Sequence, residues 1–375
     1  MRVAEFFAGI GLVRMALEQH GFNVVWANDI NPIKLKMYRN HFGASEFLLE
    51  DIRAVDGGSM PGIDLATASF PCTDLSLAGH RRGLAGQESG MLWEFTRIIE
   101  KMDSRRPGMI LLENVPGFAT SNGGEDLRRT IERLNDLGYE CDLLMIDARY
   151  FVPQSRQRLF IVGSLDPIGV PSDNRATTVR PEWMLRFARQ NPSLRLRFLP
   201  LSDSPLGATT LCSLVECLSH EDPRWWEQDR VDRFLHSLSA VQRSRLDAMV
   251  AGEMRSWATA YRRTRHGKPV WEIRADAISG CLRAVSGGSS KQALVEAGGG
   301  VFRLRWMTAL EYARLQGAGA YNLEGISEAN ALFGFGDAVC VPVVSWIAEN
   351  YLVPLFSNAM WPESNLHRQE ALVGV

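Results

Sequence analysis

The chain has 375 residues, of which 46% are hydrophobic and 22% are charged, and its formal net charge is −2. This is the composition of a soluble globular protein with room for two domains, and the net charge gives no indication of a nucleic-acid partner. The sequence shows no apolar run of membrane-spanning length and no signal peptide. The six cysteines have no framework spacing, so we expect reduced thiols in a cytoplasmic protein without a membrane partner.

Short apolar segments alternate with helical patterns through the first part of the chain. The segments predicted as strands are residues 3–7, 24–27, 46–49, 63–68, 109–112, 143–146 and 159–162. Helical periodicity is clearest at residues 12–20, 32–41, 92–102 and 125–137. This alternation predicts a doubly wound, mostly parallel α/β sheet, in which ligands bind at the carboxyl ends of the strands.

Composition changes after Gly163, where the alternation stops and proline, arginine, serine and tryptophan become frequent. We therefore expect a second, smaller and irregular domain after the first one. The expected boundaries are a first domain over 1–165, the second over 166–329, a return to the first over 330–360, and a tail over 361–375.

The middle of the chain carries one arginine pattern and one cysteine pattern. Between Arg149 and Arg305 nearly all basic residues are arginine, and many are clustered. Such a region fits a surface that faces a polyanion, although solvated helix faces give the same pattern. Cys212, Cys217 and His220 fit no common zinc spacing, so we expect a cysteine pair buried on a helix and no metal.

Glycine and acidic residues follow the predicted strands at the edge where ligands bind. The segment Phe7-Ala8-Gly9-Ile10-Gly11 places glycines at a helix N-terminus. Arg14 occupies the position of the third glycine of a dinucleotide fingerprint, which disfavours a pyrophosphate cofactor. Asp29 is placed to hold ribose hydroxyls, and Asp51 to accept from an adenine amino group. This edge of the sheet, the rim of the first domain, therefore suits an adenosine that carries no diphosphate.

Cys72 follows a predicted strand and precedes a glycine-rich segment, residues 79–90. A cysteine held between a strand and a loop is placed as a nucleophile, although a free cysteine is more often a small buried apolar residue. Glu113 ends the next strand as a candidate acid or, alternatively, a helix N-cap. Arg156 and Arg158 lead into the last strand on one face, where they converge on one anion or carbonyl, or else face solvent.

In these motifs the chain resembles the cytosine-C5 DNA methyltransferase family over nearly its full length. The matching segments, in family order, are Phe7-Ala8-Gly9-Ile10-Gly11, Pro71-Cys72, Glu113-Asn114-Val115, Gln154-Ser155-Arg156-Gln157-Arg158, Arg305-Trp306-Met307-Thr308 with Glu311-Tyr312-Ala313-Arg314-Leu315-Gln316-Gly317, and Gly336-Asp337-Ala338-Val339. Each segment alone is weak, but the ordered set is specific. The resemblance implies the S-adenosylmethionine-dependent methyltransferase fold, with residues 166–329 as a target-recognition domain.

The same resemblance implies that S-adenosylmethionine binds at the rim of the first domain. Phe7 would stack on its adenine, Asp29 would hold its ribose, and Leu92 would line the pocket. The implied cofactor contacts are Phe7, Ala8, Gly9, Ile10, Gly11, Leu12, Asp29, Ile30, Asp51, Ile52, Pro71, Leu92, Asp337, Ala338 and Val339.

The implied reaction begins when a target cytosine leaves the duplex and the Cys72 thiolate adds to its C6. Glu113 would hydrogen-bond N3 and the exocyclic amine, while Arg158, helped by Arg156, would bind the O2 side. The segment 79–90 would close over the base.

Duplex DNA is the implied partner of a nucleoid-associated monomer, and the resemblance leaves room for a cognate restriction endonuclease. The candidate DNA contacts are Gln154, Arg283, Ser289, Ser290, Lys291 and Gln292.

Two positions depart from the family pattern. Leu12 stands where a second glycine commonly follows Gly11, and Asp337 stands where asparagine is common. An ionised Asp337 would repel the cofactor carboxylate unless it engages the ammonium group or points away. The hypothesis is a weaker affinity, or a different seating of the amino-acid end of the cofactor. Equal affinity in wild type and Asp337→Asn would contradict it.

Three other functions stay open at this point. A tRNA cytosine methyltransferase of the same family is disfavoured by the long variable region. A non-catalytic DNA-binding relative is disfavoured because Cys72, Glu113, Arg156 and Arg158 occur together. An NAD-dependent dehydrogenase is disfavoured by the absent third glycine.

Overall fold

The computed structural model describes residues 1–43, 45–71, 90–165, 172–205, 207, 210–284 and 291–357, which contain two β-sheets. The strands are β1 Arg2–Phe6, β2 Asn23–Asp29, β3 Phe47–Leu49, β4 Leu65–Ala68, β5 Met109–Asn114, β6 Glu140–Asp147, β7 Gln157–Ser164, β8 Ser256–Arg265, β9 Lys268–Ile273, β10 Ala293–Gly298 and β11 Val301–Trp306. The helices are α1 Leu12–Glu18, α2 Pro32–Phe42, α3 Met91–Lys101, α4 Gly117–Thr120, α5 Glu125–Asp136, α6 Glu182–Gln190, α7 Gln228–Ser237, α8 Ala240–Ala251, α9 Ala309–Leu315, α10 Glu328–Asp337, α11 Val341–Ile347 and α12 Val353–Phe356.

The larger sheet has seven strands in the order β3-β2-β1-β4-β5-β7-β6. Strands β1 to β5 are parallel to their neighbours in this group, whereas β7 is antiparallel to both β5 and β6. All seven strands coincide with segments predicted from the sequence, so the doubly wound, mostly parallel sheet is confirmed. The strand order changes direction between β1 and β4, and a doubly wound sheet forms its ligand crevice at such a point.

Successive residues of the central strands enter two different cores. Val3 packs on one face with α1, α2 and α11, whereas Ala4 packs on the other face with α3 and α5. Because both faces are covered, these strands read as apolar runs. The side chain of Asn31 caps α2 by accepting from the backbone N–H groups of Ile33 and Lys34. This cap fixes the direction in which α2 leaves the carboxyl end of β2.

The second β-sheet has a core of its own. Its four strands are antiparallel, in the order β11-β10-β8-β9, and they share this core with α7 and α8. Val179, Leu199, Leu211 and Val215 pack in a core with the larger sheet, as does α9. The core of the second unit draws on residues from Trp226 to Trp306, and the domain bounds of 166–329 stay a prediction.

The cysteine prediction needs correction. Cys212 and Cys217 are both exposed, and Cys212 lies in a 3₁₀ turn at Leu211–Ser213 rather than on a buried helix face. In the part of the chain that the structure describes, no group of three or more His, Cys, Asp or Glu side chains is arranged to hold a metal ion.

The C-terminal helical region is a core element of the molecule. By length and composition, Glu328–Phe356 is apolar enough to cross a membrane, but 72% of its most apolar window is buried inside the molecule. That burial is the pattern of a core helix, and the region packs against α1 and the larger sheet.

Candidate active site

A cleft of about 1840 Å³ opens at the carboxyl ends of β1, β2, β4 and β5. Its first wall consists of residues that follow these strands, together with the segment at the end of α10. Its second wall consists of residues from β8, from the end of β9 and from the loop before β10. The larger sheet thus forms its cleft where this architecture places ligands.

The loop after β1 has an unusual backbone. Phe7, Gly9 and Gly11 have φ angles of 54°, 59° and 79°, all in the left-handed region. For Phe7 this conformation costs on the order of 1 kcal/mol, and the bond from the Ala8 N–H to the Asn28 carbonyl holds it in place. At Gly9 a Cβ would meet nothing closer than 4.0 Å. The loop therefore presents open backbone to the cleft at Gly9.

Gly11 faces α2 rather than the cleft. A Cβ at Gly11 would lie 2.5 Å from the Phe42 ring and 2.9 Å from the Tyr38 ring. This glycine allows α1 and α2 to pack closely, and its contact with the cofactor stays a prediction. Leu12, at the position where a second glycine was expected, is buried and lines the cleft.

Asp29 and Asp51 follow neighbouring strands and line the cleft. Asp29 accepts backbone N–H bonds from Gly9 at 3.0 Å and from Asn31 at 2.9 Å, so its carboxylate is fixed beside the open loop. Asp51 pairs with the guanidinium of Arg53, and hydrogen bonds from Arg53 lower the pKa of Asp51. Asp51 is therefore an ionised acceptor at neutral pH.

Most of the other predicted cofactor contacts also border this wall. Those that line the cleft are Phe7, Ala8, Ile10, Ile30, Ile52, Pro71, Asp337, Ala338 and Val339. Ile30 is 64% exposed and offers an apolar surface that a bound ring can cover. Leu92 is fully buried in the core while its neighbour Met91 lines the cleft, and the contact of Leu92 with the cofactor stays a prediction.

Two buried polar side chains of this wall were not singled out from the sequence. Among the residues that the structure describes, the carboxyl oxygens of Glu5 and the hydroxyl of Thr67 have no hydrogen-bond partner of ordinary geometry, and both residues line the cleft. Burial raises the pKa of Glu5 to about 8 against the opposing effect of Arg14. Glu5 is therefore largely protonated at neutral pH. Unsatisfied groups beside open backbone fit a site that a polar ligand completes.

An ion pair lies at the centre of the cleft. Arg158 Nε on β7 is 2.9 Å from Glu113 Oε1 on β5, and both side chains are largely buried. The two strands are antiparallel neighbours, which brings these positions together. The adjacent Asn114 donates from its side chain to the Phe70 carbonyl at 3.1 Å. Asn114 therefore ties the end of β5 to the segment that leads to Pro71.

Cys72 lies outside the described residues, as do residues 79–89 of the glycine-rich segment. Cys72 follows Pro71 directly in the sequence, and Pro71 lines the same cleft as Glu113 and Arg158. The role of Cys72 therefore stays a prediction from the sequence.

Arg156 is used differently from Arg158. Although it borders the cleft, its buried guanidinium donates to the carbonyls of Leu282 at 2.9 Å and Ala338 at 2.6 Å. It joins the start of β7 to both walls, and its contact with the base stays a prediction. Gln154 is fully buried, with its amide bonded to the Leu315 carbonyl and the Leu282 N–H, and its contact with DNA also stays a prediction.

A second thiol that the sequence did not indicate lies against the two arginines. Cys281 Sγ is 3.4 Å from Arg156 Nη1 and 3.9 Å from Arg158 Nη2, and the residue lines the cleft. Burial raises the pKa of Cys281, but the two guanidinium groups outweigh it and hold the pKa below its ordinary value. The sulfur therefore acts as an acceptor that helps to orient Arg158.

The second wall is rich in arginine. The residues of β8 and β9 that line it are Tyr261, Arg262, Arg263, Thr264 and Arg274. The sequence indicated only that this region was basic and did not identify these positions as a wall of the site. A wall of exposed and half-buried arginines is suited to phosphate oxygens.

The predicted DNA contacts before β10 are divided by the structure. Arg283 is exposed and lines the cleft, whereas Lys291 is half-buried with its ammonium 5.5 Å from the centre of the Trp306 ring. Gln292 lines the cleft but is buried in hydrogen bonds to Gly280, and its contact with DNA stays a prediction. Ser289 and Ser290 lie outside the described residues.

Comparisons with known proteins give the chain a family and a fold. The sequence profile of the family described as C-5 cytosine-specific DNA methylase matches residues 1–352. Type II methyltransferase M.NlaX of Neisseria lactamica is 27% identical over 352 residues, which covers 93% of this chain and 95% of that protein. Type II methyltransferase M.Bsp6I of Bacillus sp. (strain RFL6) is 32% identical over 166 residues, 44% of this chain. That match spans 52% of M.Bsp6I, about half of its length.

A solved structure supports the fold. The Dnmt2 methyltransferase of S. pombe superposes with a TM-score of 0.60 at 18% identity, over 96% of this chain and 99% of that chain. Identity this low speaks for the fold alone. The family profile covers both the strand-end motifs that line the first wall and the second unit that faces them. This chain belongs to the C-5 cytosine-specific DNA methylase family.

Proposed function

We propose that this chain methylates C5 of cytosine within a specific sequence of duplex DNA, with the target base flipped out of the helix into the cleft. The observation that carries the proposal is the Glu113–Arg158 ion pair, set in a cleft that Pro71 also lines. Membership of the family, and the name Type II methyltransferase of its relatives, support the same function.

S-adenosylmethionine is the proposed methyl donor, and its activated methyl group is the chemistry that it supplies when bound. Asp29 would hold the ribose hydroxyls, and Phe7 and Ile30 would provide apolar surface for the adenine. Two features of the first wall support binding of this cofactor. The backbone at Gly9 is open, and the buried Glu5 carboxyl has no hydrogen-bond partner of ordinary geometry among the described residues, so a ligand with polar groups can hydrogen-bond there.

Cys72 is the proposed nucleophile. Its thiolate forms a bond to C6 of the cytosine, and the electron pair of the C5=C6 double bond makes C5 nucleophilic. After C5 has gained the methyl group, loss of the C5 proton and departure of the thiolate restore the double bond. The base is methylated and the cysteine is regenerated.

Glu113 and Arg158 would stabilise the charge that this addition creates. Glu113 accepts from the exocyclic amine and, as the carboxylic acid, donates its proton to N3, while Arg158 donates to the O2 side of the ring. Their ion pair of 2.9 Å orients both groups before a base arrives. Arg156 supports the strand and the walls around them rather than touching the base.

The arginine-rich second wall is the proposed surface for duplex DNA. Because one chain supplies both walls, a monomer suffices for the reaction, which we place at the nucleoid in the cytoplasm. The Type II names of the relatives favour a cognate restriction endonuclease as a partner. Digestion by host extract of unmethylated but not of methylated DNA would reveal it.

The direct test is transfer of labelled methyl groups from S-adenosylmethionine to duplex DNA and to tRNA. We expect label at cytosine C5 in DNA, no label with Cys72→Ala, and a covalent complex with duplexes that contain 5-fluorocytosine. Equal labelling by wild type and Cys72→Ala would remove Cys72 as nucleophile, and labelling of tRNA alone would favour an RNA substrate. Bisulfite sequencing of DNA from an expressing host identifies the target sequence.

A further inference from the structure

Lys34 carries a charge that the proposed reaction has not used. It lies in the first turn of α2, its side chain is only 15% exposed, and it lines the cleft. Its Nζ is 2.6 Å from Asp337 Oδ2 and 3.8 Å from Asp29 Oδ2. Lys34 therefore connects the end of β2 with the end of α10 along the first wall.

Both members of the Lys34–Asp337 pair are charged at neutral pH. Burial raises the pKa of Asp337, but the Lys34 ammonium outweighs it and holds the pKa below its ordinary value. Burial lowers the pKa of Lys34, but Asp337 and Asp29 together raise it above its ordinary value. The cleft thus contains a positive and a negative group side by side.

The pair stands next to the open backbone of the β1 loop. The Lys34 side chain contributes the nearest side-chain atom, Cδ, to the position that a Cβ would take at Gly9, at 4.0 Å. The Asp337 side chain is 52% exposed and lines the cleft, so one partner of the pair can be reached by a ligand. A ligand that lies against Gly9 and Asp29 therefore has its adjacent polar groups beside the Lys34 ammonium and the Asp337 carboxylate.

We infer that Lys34 and Asp337 together seat the amino-acid end of the cofactor, which carries one carboxylate and one ammonium. This assignment rests on the proposed function. Lys34 binds the carboxylate and Asp337 accepts from the ammonium, so the two charges of the ligand match the two charges of the wall. Before binding, the two side chains satisfy each other, and neither leaves an unpaired charge in a partly buried site.

This assignment explains how an aspartate is accommodated at the position where the family commonly has asparagine. Alone, Asp337 would repel the cofactor carboxylate, but with Lys34 at 2.6 Å the pair has no net charge. The two residues are 303 positions apart in the chain, so the sequence alone did not reveal the compensation.

A purely structural ion pair would behave differently. It would tie α2 to the end of α10, and its loss would weaken every ligand of the first wall equally. If Lys34 and Asp337 bind the amino-acid end of the cofactor, their substitution should lower the affinity only for ligands that possess this end. S-adenosylhomocysteine has this end and 5′-methylthioadenosine lacks it, so the two compounds separate the roles.

The test measures the dissociation constants of both compounds by titration calorimetry. For Lys34→Met we expect about tenfold or more weaker binding of S-adenosylhomocysteine, because a charge-assisted contact is lost. Binding of 5′-methylthioadenosine should stay within about threefold of wild type. Lys34→Arg should retain most of the affinity, because the positive charge is kept.

A double-variant cycle tests the pairing itself. Lys34→Met leaves Asp337 unpaired against the ligand carboxylate, so adding Asp337→Asn should recover part of the lost affinity for S-adenosylhomocysteine. Asp337→Asn alone should weaken this ligand by a smaller factor, about threefold, because a neutral acceptor remains for the ammonium. If Asp337→Asn binds S-adenosylhomocysteine with the wild-type affinity, Asp337 does not bind the ligand ammonium.

The matched control is Lys36→Met, on the same helix, whose ammonium donates to the Gly325 carbonyl at 3.0 Å. It should bind both compounds like wild type. Equal losses of both compounds in Lys34→Met, or no loss of either, would overturn the inference. If wild type binds neither compound, both the proposed cofactor and the role of Lys34 and Asp337 are rejected. If wild type binds both compounds with the same affinity, only the role of Lys34 and Asp337 is rejected.

Discussion

The two walls of the cleft are built in different ways. On the first wall, charged side chains are partly or fully buried and held by short contacts, as in the Glu113–Arg158 and Lys34–Asp337 pairs. On the second wall, Arg263 is exposed and its 3.4 Å contact with Glu272 is loose. A reaction needs groups fixed before the substrate arrives, whereas a surface that faces DNA needs cations that adjust along a backbone. The contrast therefore separates the chemical side of the cleft from its recognition side.

The largest effect should come from the ion pair of the first wall. Glu113→Gln keeps the shape but removes the charge, so it should lower the rate of methyl transfer by about 10²–10³-fold. Single-turnover assays at saturating DNA measure this rate. The control is Glu182→Gln, which breaks an exposed pair with Arg189 on α6 and should keep the wild-type rate. A wild-type rate for Glu113→Gln would remove this residue from the chemistry.

Substitution of Arg156, just before β7, and of Arg158, within it, should have opposite effects on stability and activity. Arg156→Ala leaves buried carbonyls without donors, so the free energy of unfolding should fall by about 2–4 kcal/mol. Arg158→Lys should change this free energy by about 1 kcal/mol or less while methyl transfer is largely lost. Urea unfolding followed by circular dichroism gives both values. Unaltered stability in Arg156→Ala, with activity lost, would return Arg156 to the base-binding group.

The burial of Glu5 on the first wall should make the free energy of unfolding depend on pH. The folded state keeps the proton of Glu5 up to about pH 8, whereas the unfolded chain releases it near the ordinary value of 4.5. The favourable contribution of Glu5 is therefore present below pH 4.5 and is lost as pH rises towards 8, by about 1 kcal/mol per pH unit.

Glu5→Gln cannot ionise at this position, so its free energy of unfolding should decrease less with pH than that of wild type. The variant should therefore become more stable relative to wild type as pH rises from 5 to 8. Urea unfolding at pH 5, 6.5 and 8 measures it, with Glu182→Gln as the exposed control. Parallel stability curves for wild type and Glu5→Gln would show that Glu5 ionises normally in the folded protein.

The smallest effect should come from a single cation of the second wall. Arg263→Gln should weaken duplex DNA binding a few-fold and reduce the slope of log affinity against log salt by about 1. Fluorescence anisotropy over a salt series gives this slope, and Arg189→Gln on α6 is the control. An unchanged slope would place Arg263 outside the DNA interface.

The sequence identified the first wall better than the second for a physical reason. Buried parallel strands read as apolar runs, so the residues that follow them, such as Asp29 and Glu113, could be placed at one edge. Strand β8 carries consecutive arginines at Arg262 and Arg263 and has no such pattern, so it was not recognised.

Contacts between distant segments could not be predicted from the sequence either. The partners of Arg156 are backbone carbonyls, which leave no trace in residue identity. The sequence singled out Asp337 but gave no sign of its partner, because Lys34 reads as an ordinary surface charge until the fold brings the two together.

Arg156 has a thermodynamic consequence for the two walls that it joins. One guanidinium holds Leu282, next to Arg283 of the second wall, and Ala338, next to Asp337 of the first. Arg156 therefore links the backbones of the two walls directly, beside a second route through the side chains of Gln154 and Gln316. Linkage requires that, if cofactor tightens DNA binding by some factor, DNA tightens cofactor binding by the same factor.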